Sequence, residues 1–201
     1  MKPVKVVDAH GALKERPILL AGRWVRAILD GRKTQTRRPI DLSRVKHRID
    51  WVGWTGAEST WYALSAYPAG DEGSAEIEAE TVIKCPFGAV GDRLWVRETW
   101  QWIRPSESAD AVCYRVDSPP DSGPWRTSRF MPRWASRLDL AITDIRAEPV
   151  RSITLADAIA EGCESVDEFR SAWLEHYGAK HPWNTSWAWA ITFERIGGND
   201  G

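Results

Sequence analysis

The sequence predicts an α+β fold: a small mixed β-barrel with short flanking helices and an added β element. Three observations predict it. Segments with two-residue apolar alternation outnumber segments with helical spacing. The helices that capping signals delimit are short and marginal. Turn-forming Gly and Pro recur between strands, which suits antiparallel strands with helices at the margins. A chain of 201 residues suits one domain and is long enough to bury a core without disulfide staples.

Residues 1–15 mix charged and apolar side chains and read as a mobile leader, without the unbroken apolar stretch of a signal peptide. Pro17 to Leu20 is a short strand. Trp24, Val25, Ala27, Ile28 and Leu29 follow helical spacing, with Gly31 as the C-cap signal. Arg32 and Lys33 follow, where the helix dipole favours positive charge. Lys33 to Arg38 reads as a polar strand stopped by Pro39. Residues 41–84 read as an insertion. Its Trp-rich pieces, Ile49 to Trp54, Trp61 to Ala66 and Ile77 to Ile83, alternate with turns such as Thr55-Gly56 and Gly70-Asp71-Glu72-Gly73. They predict a β-meander or long hairpin projecting from the barrel. After Gly91-Asp92, Leu94, Val96, Glu98 and Trp100 alternate with Trp95, Arg97 and Thr99. This predicts a half-buried strand with a carboxylate on its apolar face. Ala111 to Val116 is another strand, and Ser118 to Ser128 is a Pro-containing loop. Arg137 to Ile145 is a strand with Leu138, Leu140 and Ile142 on one side. Thr154 and Asp157 form a capping box, and Gly162 closes that helix. Ser165 and Glu168 open a second helix that runs toward Gly178. Trp187 to Ile196 is the closing strand of a single domain over 16–197, and 198–201 form a tail.

Composition excludes several function classes. Lys and Arg total 27 against 28 Asp and Glu, a net charge of −1. Binding long duplex nucleic acid through overall charge is not indicated, although a local basic patch is compatible with this balance. The three cysteines (Cys85, Cys113, Cys163) show no CxxC spacing, and the odd count suits a reducing compartment. The four histidines show no metal-ligand spacing, and no Walker loop or GxGxxG is present. Neither metal nor nucleotide cofactor is expected. No apolar run reaches membrane-spanning length, so a cytoplasmic protein without membrane contact is expected. The sequon Asn184-Thr185-Ser186 reads as chance. Most of the 13 tryptophans are expected in the core, with one or two as platforms for bases.

Four stretches together resemble the ASCH family. They are Ala27-Ile28-Leu29-Asp30-Gly31-Arg32-Lys33-Thr34-Gln35-Thr36-Arg37-Arg38, Gly91-Asp92-Arg93-Leu94-Trp95-Val96-Arg97-Glu98, Ala158-Ile159-Ala160-Glu161-Gly162, and Trp187 to Ile196. They keep the family's order, and Met131 to Arg137 looks like the version carried by phages and prophages. The resemblance implies a PUA-like β-barrel. One branch of the family hydrolyses N(4)-acetylcytidine with a Lys, a Thr three residues later and a Glu on a later helix. Lys33, Thr36 and Glu161 match those positions. That branch is shorter and lacks the Trp-rich insertion.

Each candidate also has an ordinary reading. Lys33 is a helix C-terminal cation, and a free lysine titrates near ~10.4, too high for a base at neutral pH unless desolvated or set among cations. Arg32, Arg37 and Arg38 supply such cations. Thr36 is a strand-forming β-branched residue. In a regular strand residues three apart face opposite ways, so Lys33 and Thr36 converge only if the turn after Gly31 still includes Lys33. Glu161 lies at a helix C-terminus, where a carboxylate is disfavoured. Glu98 is either a second carboxylate of the site or the partner of a buried arginine. Arg38 and Arg97 are candidate phosphate grips or surface ion-pair partners. Trp134 is the tryptophan expected to stack on a base.

The leading expectation is an amidohydrolase removing an acyl group from an exocyclic amine of a nucleoside or nucleobase, needing no cofactor. In it Lys33 activates Thr36 or a water and Glu161 passes the proton to the leaving amine; sequence does not name the oxyanion donors, for which backbone amides near Gly31 are candidates. The alternatives are a non-catalytic module for short RNA or a modified base, and a phage accessory protein that docks on a host protein through its Trp-rich insertion. Oligomeric state is left open.

Overall fold

Apolar alternation organises most of this chain into strands. A computed structural model describes residues 13–45, 49–56, 60–68, 75–106, 109–118 and 124–197. The elements are β1 (Glu15–Leu19), α1 (Gly22–Leu29), β2 (Gln35–Pro39), β3 (Trp51–Trp54), β4 (Thr60–Pro68), β5 (Ala75–Lys84), β6 (Arg93–Arg97), β7 (Trp100–Ser106), β8 (Ala109–Tyr114), β9 (Asp139–Pro149), α2 (Leu155–Ala160), α3 (Val166–Tyr177) and β10 (Trp187–Ile196). The architecture is α+β, with few helices and several sheets. Most of the expected leader, the Gly70–Gly73 turn and the tail lie outside the described residues.

The main sheet has five strands in the order β1-β6-β9-β10-β2. β1 pairs parallel with β6, and the other pairs are antiparallel. Leu94, Val96, Leu138, Leu140, Ile142, Trp189, Ile191 and Phe193 form one buried core with Ile18, Val25 and Ile28. No sheet closes into a barrel among the described residues. β1 and β2 remain edges, and α1 is the connection between them. Arg38 on β2 donates a hydrogen bond to the Leu19 carbonyl on β1. Paired strands lie ~4.8 Å apart. Here a long side chain, not a backbone ladder, bridges the edges, and this seam is where a cavity opens. Pro39 ends β2, a place an edge strand tolerates.

The 41–84 segment folds as the antiparallel sheet β3-β4-β5. It does not simply project. Val52, Trp61 and Ala63 join the main core, and the Trp61 ring meets Trp189 edge-on at 4.6 Å between centroids. Alternation on β3 and β4 explains this, because one face is apolar and needs cover.

The strand expected to run from Leu94 to Trp100 is broken at Glu98 and Thr99. β6 joins the main sheet, while β7 pairs with β8 in a separate hairpin. Trp100 there packs with Met131 and Ala135. α2 and α3 cover a third cluster that includes Cys163, Phe169 and Trp173.

Trp61→Ala is expected to lower stability by about 3–5 kcal/mol, since the ring joins two sheets. The urea unfolding midpoint reads this, and a loss under about 1 kcal/mol would show that the meander packs loosely.

Candidate active site

Two helix ends meet at the seam. α1 terminates in a Schellman turn: Gly31 N–H donates to the Ile28 carbonyl and Arg32 N–H to the Ala27 carbonyl. Gly31 takes a φ of 72°, in the left-handed region. Lys33 N–H also donates to the Ala27 carbonyl, at 3.0 Å. The winding of α1 therefore carries through Lys33, and β2 starts only at Gln35. This allows Lys33 and Thr36 to line one cavity despite their spacing.

α2 begins on the Thr154–Asp157 capping box and ends with Glu161 as C-cap. A second Schellman turn follows, from Gly162 N–H to the Ile159 carbonyl and Cys163 N–H to the Ala158 carbonyl. Gly162 has a φ of 84°, and a Cβ there would stand 3.1 Å from Ala27 Cβ and 3.3 Å from Lys33 Cβ. A side chain at this position would push the two helix ends apart. Thr34 N–H donates to the Ala160 carbonyl and Phe193 N–H to the Thr34 carbonyl, which straps the segment between α2 and β10.

Lys33 and Glu161 are only 3% and 4% exposed. Lys33 Nζ donates to Glu161 Oε2 at 2.7 Å and to the Glu161 carbonyl at 2.8 Å. The ammonium thus neutralises the carboxylate and also caps the α2 C-terminus. It sits 4.9 Å from the centre of the Trp24 ring. Burial pushes the Lys33 amine below the usual lysine range; Glu161 opposes that shift and Arg38 adds to it. Cys163 lies close by, but burial pushes its thiol up to about 11, so it stays protonated and is a poor nucleophile.

Arg37 forms a second layer beneath this pair. Its side chain is fully buried and reaches Glu161 Oε1 at 3.5 Å, Asp157 Oδ2 at 3.3 Å, and Glu148. It also donates to Gln35 Oε1. Glu161 Oε1 is buried and has no hydrogen-bond partner among the described residues. Arg146 closes the network from outside, donating to Asp157 Oδ1 at 3.1 Å. Burial raises the Asp157 carboxyl, but the Thr154 hydroxyl and amide and the Arg37 charge outweigh it and hold the group well below its usual range.

The cavity has a volume of about 360 Å³, and Lys33, Thr36, Arg37, Arg38 and Glu161 line it. This is small-molecule scale. Trp24, Phe169, Trp173 and Tyr177 supply flat apolar wall, and Arg23, Glu175 and His176 also line it. Arg38 donates to the Tyr177 hydroxyl at 2.9 Å, while its Nε is a buried donor with no partner among the described residues. The amides of Gly31, Arg32 and Lys33 all bond α1 carbonyls. They are not free as oxyanion donors, contrary to the expectation from sequence; the Schellman turn uses them.

Arg97, Glu98 and Trp134 are not brought to this cavity. Glu98 is buried and accepts a two-pronged pair of hydrogen bonds from Arg137 at 2.9 and 3.0 Å. It is the partner of a buried arginine. Arg97 stacks on Trp95 at 4.5 Å and donates to the Arg129 carbonyl. Trp134 is 61% exposed. Sequence reasoning passed over Trp24, Tyr177 and the role of Arg37. The one available signal was an arginine on the same face of β2 as Gln35 in a strand otherwise closely packed.

Among the described residues, no His, Cys, Asp and Glu cluster is arranged to hold a metal, and no helix is long and apolar enough to cross a membrane. No family model, curated protein or solved structure matches this chain.

Asp157→Asn should lower stability at pH 7 by roughly 1–2 kcal/mol, by weakening charged hydrogen bonds. The depressed carboxyl contributes stability above the unfolded pKa near ~3.9, and that contribution is lost as pH falls through the folded value. The gap between variant and wild type should therefore narrow between about pH 5 and pH 2. Urea titrations across that range read it; a constant gap would contradict the assignment.

Proposed function

We propose that this chain is an amidohydrolase of the ASCH type, with a PUA-like fold, that removes an acyl group from the exocyclic amine of a nucleoside or nucleobase such as N(4)-acetylcytidine. The observation that carries the reading is the buried Lys33–Glu161 hydrogen bond in the wall of a cavity that Thr36 also lines.

Amide hydrolysis needs a nucleophile, a base and a proton for the leaving amine. In the neutral form Lys33 takes the proton of the Thr36 hydroxyl or of a water as its oxygen attacks the acyl carbon. Burial and the neighbouring Arg38 make that form accessible. Glu161 receives a proton from Lys33 and returns it to the departing nitrogen. With Thr36 as nucleophile an acyl ester forms, and water cleaves it by the same route. Arg38, whose side chain lines the cavity, is the donor for the developing oxyanion. The aromatic walls suit a flat base. A module that merely held phosphate would gain nothing from a buried carboxylate beside its lysine, which favours the enzymatic reading over simple binding.

Incubation with a panel of acylated nucleosides and product analysis tests this. Glu161→Gln and Lys33→Ala should each reduce hydrolysis by about 10²–10⁴-fold. Glu161→Gln keeps the shape of the site but leaves the buried Lys33 without its anion, so its urea midpoint is read beside the rate and only a folded variant that has lost activity counts as lost chemistry. Thr36→Ser should retain partial activity and Thr36→Ala none; equal rates in Thr36→Ala and wild type would assign the attack to water. The rate should rise with pH to a midpoint below ~10.4. No turnover of any acylated nucleoside by the wild type would sink the reading.

A further inference from the structure

The segment Trp125 to Arg137 carries Arg126, Arg129, Arg133 and Arg137 and no acidic residue. Two of these arginines are neutralised: Arg133 by Glu15 and Asp139, and Arg137 by Glu98 and Asp117. Arg126, Arg129 and the adjacent Arg97 have no carboxylate partner among the described residues. Arg97 donates through Nη1 to the Arg129 carbonyl at 3.2 Å, and its Nε is a buried donor without a partner among the described residues. This is local positive charge on a chain whose net charge is −1.

Large aromatic side chains stand exposed among these arginines. Phe130 is 73% exposed, Trp134 61% and Trp102 42%. Trp134 meets Trp100 and Trp102 edge-on, at 6.0 and 6.3 Å between centroids, so it is held in place while remaining in water. Arg126 lies over Trp100 at 5.4 Å. The surface also has a direction. Arg97 at the end of β6 is the register partner of Leu19 at the end of β1. Leu19 lines the cavity, and its carbonyl accepts from Arg38. The arginine–aromatic surface thus begins one strand away from the cavity mouth.

We propose that this surface binds single-stranded nucleic acid, with Arg97, Arg126 and Arg129 on phosphates and Phe130, Trp134 and Trp102 as stacking platforms. Guanidinium groups suit phosphate oxygens, and every base offers a π-face to an exposed ring. A duplex hides those faces, so the single strand is the preferred form. The strand leads one nucleotide toward the cavity, making the acylated base part of a polynucleotide. That last step rests on the amidohydrolase reading; the binding does not.

The test is fluorescence anisotropy with a labelled 12-nucleotide RNA of mixed sequence, beside its duplex and a poly-glutamate competitor. The single strand should bind more tightly than the duplex. Its affinity should fall with salt at a log–log slope near −2, as about 0.7 per neutralised phosphate predicts for three arginines. Phe130→Ala and Trp134→Ala should each weaken binding roughly ten-fold, as loss of a stacking ring does. Arg97→Ala with Arg129→Ala should flatten the salt slope. Phe130 is solvent-exposed, so its removal leaves the fold and hydrolysis of a free acylated nucleoside unchanged. Equal binding of strand and duplex, or no effect of Phe130→Ala and Arg129→Ala, would overturn the proposal. Poly-glutamate competing as well as RNA would instead assign the surface to an acidic protein and overturn it too. Strand binding that survives in Glu161→Gln while hydrolysis is lost separates this surface from the chemistry of the cavity. Binding without hydrolysis in the wild type removes only the enzymatic reading.

Discussion

A buried ion pair between residues 128 positions apart, Lys33 and Glu161, is what the seam of this fold is built around. Taking both charges out of water carries a desolvation cost that their attraction offsets only when geometry is good and further hydrogen bonds are made. Here three features supply that geometry. The ammonium bonds both a carboxylate oxygen and the carbonyl at the end of α2. The two Schellman turns aim the helix ends at each other. Gly162 lets them close to van der Waals contact, where a Cβ would crowd Ala27 and Lys33.

The pair is not isolated. Charges alternate outward from it: Lys33, Glu161, Arg37, then Asp157 with Glu148, then Arg146. Lys33, Glu161 and Arg37 are all buried, Asp157 and Glu148 are partly exposed and Arg146 more so, so the outer members are screened while the inner ones interact through protein. This order leaves the lysine with one close anion and two nearby guanidinium groups. Burial lowers its amine below the usual lysine range, Glu161 opposes that shift and Arg38 adds to it.

Local signals in the sequence carried far. Alternation of large apolar side chains marks Trp187 to Ile196, because Trp187, Trp189, Ile191 and Phe193 pack on the main core. Thr154 and Asp157 mark the start of α2, and Gly31 and Gly162 mark the ends of α1 and α2, since capping is a matter between close neighbours in the chain. Long-range relations were less legible. Period two says which side chains share a face but not which strand lies alongside, so the break at Glu98 and the open edges β1 and β2 were not foreseen. Arg97, Glu98 and Trp134 belong to segments rich in chemistry, yet position in the chain does not reveal which side of a sheet a segment occupies. Trp24 and Tyr177 looked like ordinary helix residues; their place in the cavity depends on how α1 and α3 meet, which composition does not encode.

The strap from Thr34 to Ala160 and on to Phe193 has a meaning for synthesis. A chain made from its N-terminus exposes Lys33 early, with its eventual partner many seconds of translation away. Until α2 and β10 have emerged, the lysine is an ordinary solvated cation with an ordinary basicity. Burial and the Glu161 contact act on the amine only once α2 has closed against the end of α1.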